Sequence, residues 1–245
     1  MTDVLLMAVV LLAFTVEATL GFGATVVAVT LGAFLVPIDA MLAAFVPLNL
    51  VLSTWLAVRY RRHIAWAFLL RRILPWMALG LPFGLLALDH LDPEVARRVF
   101  GASVVLLSAL ELARLLRARP DDAPDAQIAP APRALLLIAG GFVHGLFATG
   151  GPAVVYVAGR EVDDKTRFRA TLSVLWLILN AVLVIGYVSS GLVGADSAGT
   201  TLLLAAPLVA GLVVGEWLHH RIAPRTFQLA VFGALLVAGA ILTLP

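Results

Sequence analysis

Two glycine-rich stretches interrupt apolar segments, and chemistry is expected there first. At Leu20-Gly21-Phe22-Gly23-Ala24-Thr25 the chain can leave helical geometry, because glycine reaches positive φ without steric cost. Ala148-Thr149-Gly150-Gly151-Pro152 offers the same chance, with Pro152 suited to a first helical position. A helix restarting after each break leaves backbone N–H groups unpaired and carries partial positive charge, about half a unit. Two such ends facing each other in an apolar interior make an anion site without a buried arginine. Its expected lining is Gly21, Phe22, Gly23, Ala24 and Thr25 on one side, and Thr149, Gly150, Gly151 and Pro152 on the other. The alternative is that the glycines serve close helix packing alone. That leaves the short segments beside the breaks unexplained.

Asn49 and Asn180 are the next candidates. A carboxamide in an apolar medium is costly unless bonded, and it can donate to an oxyanion while accepting from the backbone. They are expected to flank the site as a pair, or else to form an ordinary interhelical hydrogen bond. Pro47 could free a carbonyl for Asn49 by kinking its helix. Glu17 and His144 each lie a few residues before a break and are candidates for carrying a proton. Glu216 is expected to pair with Arg221 or Arg225 near a membrane surface. Trp55, Trp66, Trp76 and Trp217 read as headgroup anchors. Trp176 sits mid-segment and could line the site.

These residues are set in a chain with little room for anything but membrane helices. Of 245 residues 62% are hydrophobic and 13% charged, and the mean hydropathy is +1.03. A soluble domain of this length needs more polar surface. Runs such as Val4–Phe14 and Leu202–Val214 do not alternate, which excludes a lipid-facing barrel. The expected class is all-α and polytopic, with about ten hydrophobic segments: 4–20, 25–36, 40–58, 73–88, 96–116, 134–148, 153–159, 170–189, 200–218 and 226–244. About 20 residues are needed to span a bilayer, so 25–36 and 153–159 are too short and adjoin the breaks. The first segment lacks a basic flank and a cleavage site and is read as retained. There are no cysteines, no protease or phosphate-binding motif and no metal-ligand spacing. No enzyme activity, cofactor, metal or nucleic-acid partner is expected; the partners are a small anionic substrate and the lipid bilayer, and a homo-oligomer is possible.

The Pro- and Asp-rich stretch Arg117–Arg133 reads as a solvated linker between two halves, giving an N-terminal membrane repeat over 1–119, a cytoplasmic linker over 120–132 and a C-terminal repeat over 133–245. The halves match at a nearly fixed spacing. Asn49 and Asn180, Gly80 and Gly211, Gly84 and Gly215, and Pro93 and Pro224 are each 131 apart, and the breaks align at 128. Loop charge inverts between them. The arginine-rich 59–72 corresponds to 189–197, which has no Lys or Arg, and 89–94 corresponds to the basic 219–225. With basic loops in the cytoplasm, both termini are outside and the halves are inverted five-segment repeats. That arrangement, with interrupted helices, is the architecture of secondary transporters.

In these motifs the chain resembles the TauE/SafE family of sulfite-exporter-like membrane proteins. The likeness is carried by Gly21-Phe22-Gly23, by Gly145 with Gly150-Gly151-Pro152, and by Phe168-Arg169-Ala170-Thr171. Asn180, Gly211 and Gly215, Arg221-Ile222 and Phe227 follow in order. The resemblance covers the chain apart from the linker. It implies export of a sulfur-containing anion, such as sulfite or an organosulfonate, across a bacterial-type inner membrane. Ala24 and Thr25 stand where many members carry further glycines, so the hydroxyls of Thr25 and Thr149 could serve the oxyanion instead. The competing class is a non-transporting membrane subunit that assists assembly of another complex.

Overall fold

The computed structural model describes residues 2–88, 90–117, 128–162, 164–221 and 223–244. It is all-helical, with no strand among the described residues. Its helices are α1 (Thr2–Leu20), α2 (Ala24–Gly32), α3 (Ile38–Arg59), α4 (Trp66–Leu88), α5 (Pro93–Arg117), α6 (Pro130–Phe147), α7 (Gly151–Ala158), α8 (Lys165–Ser189), α9 (Ala195–Leu203), α10 (Ala205–Arg221) and α11 (Pro224–Thr243). Only Leu204 separates α9 from α10, so the two form one rod. Seven helices among the described residues are long and apolar enough to cross a bilayer. They are α1, α3, α4, α5, α6, α8 and the rod Ser197–Arg221.

Helix starts follow the expected chemistry. Proline stands within the first two positions of α6, α7 and α11, where its missing N–H costs nothing. Asp164 caps α8 by accepting the Arg167 N–H at 2.7 Å. The segment expected at 73–88 begins earlier, at Trp66. A π turn over Leu69–Ile73 carries the helix through Arg71 and Arg72, whose charge had marked a loop. Of the linker expected over 120–132, residues 120–127 lie outside the described residues, and Pro130, Ala131 and Pro132 already form the start of α6.

The halves interlock. α1 packs on α10 and α6 on α4, while α3 packs on α8 and α5 on α11. Exchanging corresponding helices of the two halves leaves this set of pairs unchanged. Glycines set the close approaches. A Cβ on Gly80 or Gly84 would collide with the α6 backbone at Ile138 and Phe142, and one on Gly141 or Gly145 with α4 at Met77 and Leu81. Gly211 and Gly215 stand likewise against Phe14, Thr15 and Ala18 of α1. Between lipid-like surfaces such backbone contact replaces the hydrophobic drive available in water.

The basic segments gather on one face. Arg72 and Arg133 both pair with Glu161, Tyr60 and Arg169 both reach Glu216, and Lys165 Nζ donates to the His219 carbonyl at 2.8 Å. The turn before α3, the residues around the start of α5 and the end of α8 meet elsewhere, around a cavity of about 790 Å³ lined by Asp39, Asp92, Glu94 and Arg97. α3 runs from this second face to the basic one, and α8 runs the other way.

Candidate substrate site

Both breaks form, but only the first through left-handed glycines. Gly21 and Gly23 have φ of 87° and 97°, a left-handed backbone that ends α1 and lets α2 start at Ala24. At the second break Ala148 takes the left-handed position, with φ of 53°, and α7 starts at Gly151.

Each restart is met by a side chain from the preceding helix. The Gly150 N–H donates to His144 Nδ1 at 3.3 Å. His144 Nε2 therefore carries the ring proton in the neutral form. The Glu17 carboxyl faces the Ala24 N–H at the head of α2. Two positions that each lie a few residues before a break thus hold opposite chemistries, a carboxyl at one helix start and an imidazole at the other. Both side chains are buried.

The two breaks come together. Trp176 of α8 donates its indole N–H to the Gly21 carbonyl at 2.8 Å and stacks on His144, with ring centroids 5.5 Å apart. One tryptophan therefore ties the first break to the second. Gly151 faces Phe22 and Trp176, and a Cβ added there would sit 3.9 and 4.0 Å from them.

Asn49 and Asn180 join at the same place. Asn49 donates to Glu17 Oε2 at 3.0 Å and to the Thr25 hydroxyl at 3.4 Å. Its own carbonyl oxygen accepts from Ser53 at 3.1 Å and from Asn180 Nδ2 at 3.4 Å. The interhelical hydrogen bond and the flanking pair are one arrangement. Asn180 also lies against the His144 ring.

These groups enclose a cavity of about 20 Å³, roughly the room of one water. Of the expected residues Gly23, Thr25, Asn49, Thr149, Gly151 and Asn180 line it, together with Glu17 and His144. The rest stand behind the wall. Gly21 packs on Arg169, Phe22 joins a ring cluster with Phe168 and Phe232, and Ala24 is buried at the first position of α2. Gly150 serves the His144 bond, and its α-carbon lies against the Gly140 carbonyl. Pro152 holds the α7 start, but its side chain lies outside the described residues. Val26, Ala148 and Trp176 line the cavity as well. Trp176 was legible as the tryptophan far from an interface; Val26 and Ala148 carry no signal of their own.

One expected pairing is corrected. Glu216 bonds Arg169 and Tyr60, not Arg221 or Arg225. Glu216 projects across to the start of α8, whereas the Arg221 guanidinium lies 4.6 Å from the centroid of the Trp217 ring on its own helix.

Two helix starts, paired carboxamides, a buried glutamate and a buried histidine meet around one small cavity, and no group of three or more potential metal ligands occurs among the described residues. Comparison with curated proteins and with solved structures returns no match. The family model described as Sulfite exporter TauE/SafE matches residues 6–242, nearly the whole chain. The protein is therefore a multi-pass membrane protein belonging to the sulfite exporter TauE/SafE family.

Proposed function

We propose that the chain is a secondary transporter, working as an exporter, of a small sulfur-containing oxyanion such as sulfite or an organosulfonate. The site is the cavity between the two breaks, and access alternates between the basic face and the opposite one. The observation that carries this reading is that both interrupted helices, one from each half, open onto one cavity that Asn49 and Asn180 also line. Two helix starts supply N–H donors and partial positive charge where an oxyanion needs them. The family match supports the substrate class.

The helix pairing supports an inverted repeat of five segments per half. α3 ends at the basic face, while its counterpart α8 starts there. α4 starts there, while the rod of α9 and α10 ends there. With the basic face in the cytoplasm, both termini lie outside, and the family match supports a bacterial-type inner membrane. A cavity the size of a water cannot hold a sulfite as it stands. Loading requires the breaks to part.

Glu17 makes proton coupling part of the same reading. A carboxylate at the head of α2 competes with an anion for the same N–H groups. An anion and a charged Glu17 exclude each other in an apolar cavity, whereas a protonated Glu17 can stay. Each anion bound then brings a proton with it. His144, with Nδ1 held by Gly150, is the next candidate for that proton if Glu17 does not carry it.

Transport in reconstituted vesicles tests the function. Labelled sulfite or an organosulfonate should move down its gradient through the wild-type chain. Gly151→Leu, which fills the cavity, should stop it while the protein stays folded and monodisperse. Flux that survives this change places the pathway elsewhere. No flux of any oxyanion, with cysteines at the cavity-lining Thr25 and Thr149 inert to water-soluble reagents, favours an assembly subunit.

A further inference from the structure

Arg169 is the least accounted-for charge in the molecule. It lies one turn into α8, is wholly buried, and sits directly behind the first break. A Cβ on Gly21 would come within 2.8 Å of its Cα and 2.9 Å of its Cγ. Its Nη1 donates to the Ala18 carbonyl, near the end of α1, at 2.5 Å and to Glu216 Oε1 of α10. The Tyr60 ring covers the guanidinium, with its centroid 4.3 Å from Cζ. The Tyr60 hydroxyl donates to the other Glu216 oxygen at 2.6 Å.

A guanidinium has five N–H donors in a rigid fork suited to two oxygens of one anion. Glu216 does not use that fork. One of its oxygens goes to Nη1 and the other to Tyr60, so Nε and Nη2 are buried with no acceptor among the described residues. An ion pair serving only to staple α8 to α10 gains most from bidentate geometry. This one leaves the better half of the donor empty.

The two partners also differ in freedom. The Arg169 side chain is 0% exposed and Glu216 is 20% exposed, so the carboxylate can swing toward the basic face while the guanidinium stays. Tyr60, just past the end of α3, keeps its proton at neutral pH. Burial, and then its bond to Glu216, raise the phenol above its usual value. It stays a donor to the carboxylate in either position.

We infer that Arg169 is a second oxyanion site, lying between the basic face and the midplane cavity, and that the Glu216 carboxylate fills it as a tethered stand-in until an anion from that face displaces it. The ligand class rests on the transport reading above. The exchange is charge-neutral, one anionic group for another, so the buried guanidinium is never left alone at the cost that an unpaired buried charge carries. The site also connects to the cavity. α8 holds the end of α1 through Arg169 and Ala18, and it holds the next turn through Trp176 and Gly21. Replacing Glu216 at Arg169 removes the carboxylate link that joins α10 and Tyr60 to α8, leaving the Lys165 bond to the His219 carbonyl, and loosens the wall behind the first break.

Two measurements on the full chain decide it. The first is calorimetric titration of sulfite into wild type, Glu216→Gln, Arg169→Gln, the Glu216→Gln/Arg169→Gln double variant and Asn180→Ala in nanodiscs. Removing the competitor in Glu216→Gln should tighten binding about tenfold, and loss of Arg169 should cancel that gain. Adding Asn180→Ala to Glu216→Gln should weaken binding but keep the gain. An unchanged affinity in Glu216→Gln, or a gain that survives without Arg169, overturns the proposal. If Arg169→Gln does not fold, Arg169→Lys replaces it, keeping the charge but losing the fork.

The second needs no ligand. The chain has no cysteine, so Thr149→Cys gives a single thiol in the cavity. A membrane-impermeant thiol reagent applied from the basic face should react at least several-fold faster when Glu216→Gln is also present. If the wild type binds no sulfite, the transport reading fails and labelling alone decides. An accelerated rate upholds Glu216 as the displaceable plug, and an unchanged rate overturns it.

Discussion

Asn180 donates its carboxamide N–H to Asn49 Oδ1 at 3.4 Å, joining residues 131 apart in the chain at the wall of the cavity. Asn49 is the richer node, because it also holds Glu17, Thr25 and Ser53. Replacing Asn180 by alanine removes one long hydrogen bond, a loss of about 1 kcal/mol in stability. Replacing Asn49 strands a buried carboxyl as well and should cost about 2–3 kcal/mol. Thermal unfolding in detergent should therefore order the variants wild type, Asn180→Ala, Asn49→Ala. Flux of sulfite in vesicles should fall about tenfold or more in both, as expected when a hydrogen bond to a charged guest is lost, about 1.5 kcal/mol. Equal stability of the two variants contradicts the hub role of Asn49.

Gly21 and Gly151 stand at equivalent breaks but tolerate substitution differently. Gly21 has a positive φ and its α-carbon abuts the Arg169 backbone. Alanine there meets about 1–2 kcal/mol of left-handed strain, with steric overlap added. Gly151 has ordinary φ, and a Cβ would make only van der Waals contact. Gly151→Ala should leave the melting temperature within a degree or two of wild type, and Gly21→Ala should lower it by several degrees. Gly199→Ala, where a Cβ meets open space, is the control for helix propensity. A stable Gly21→Ala would mean the first break is not held as described.

The breaks were legible because glycine and proline punctuate a sequence with almost nothing else to interrupt it. Segments expected at 25–36 and 153–159 are α2, Ala24–Gly32, and α7, Gly151–Ala158. Hydropathy failed where a helix carries charge on its outer turns, as at Arg71 and Arg72. It could not place Glu216 either. Arg169 is 47 residues away and Tyr60 is 156 away, whereas Arg221 was near enough in sequence to attract the pairing. Trp176 was identifiable only by lying far from an interface, and its bond to Gly21 crosses 155 residues. Local pattern thus located the chemistry at each break. Which side chains met across the interface depended on the packing of α1 on α10 and α3 on α8, which composition does not encode.

Glu17 should set the pH dependence of transport. The carboxyl and the anion compete for the head of α2, so anion binding favours the protonated side chain. Affinity for an organosulfonate, which stays a monoanion across the range, should rise as pH falls in the wild type. Glu17→Gln keeps the shape and the acceptor for Asn49 but lacks the charge. Its affinity should match the wild type's low-pH value at every pH, and vesicles carrying it should move the anion without acidifying their lumen. A pH slope that persists in Glu17→Gln moves the coupling to His144. Glu17→Gln/His144→Gln should then be flat.

Sidedness can be tested with the same cysteine-free background. Arg61 lies in the short turn between α3 and α4 on the basic face, and Gly191 lies between α8 and α9 on the other, with space around its α-carbon. Single cysteines at these positions belong to corresponding loops of the two halves. If the halves are inverted, an impermeant reagent outside intact cells should label Gly191→Cys and miss Arg61→Cys until the membrane is opened. Parallel repeats predict both on one side. The third position that decides is Arg225, at the start of α11, whose counterpart in the first half is Glu94 at the start of α5. Inversion requires Arg225→Cys to behave as Arg61→Cys does and Glu94→Cys as Gly191→Cys does. Four sites obeying that rule leave an odd number of crossings in each half, as the paths of α3 and α8 between the faces require.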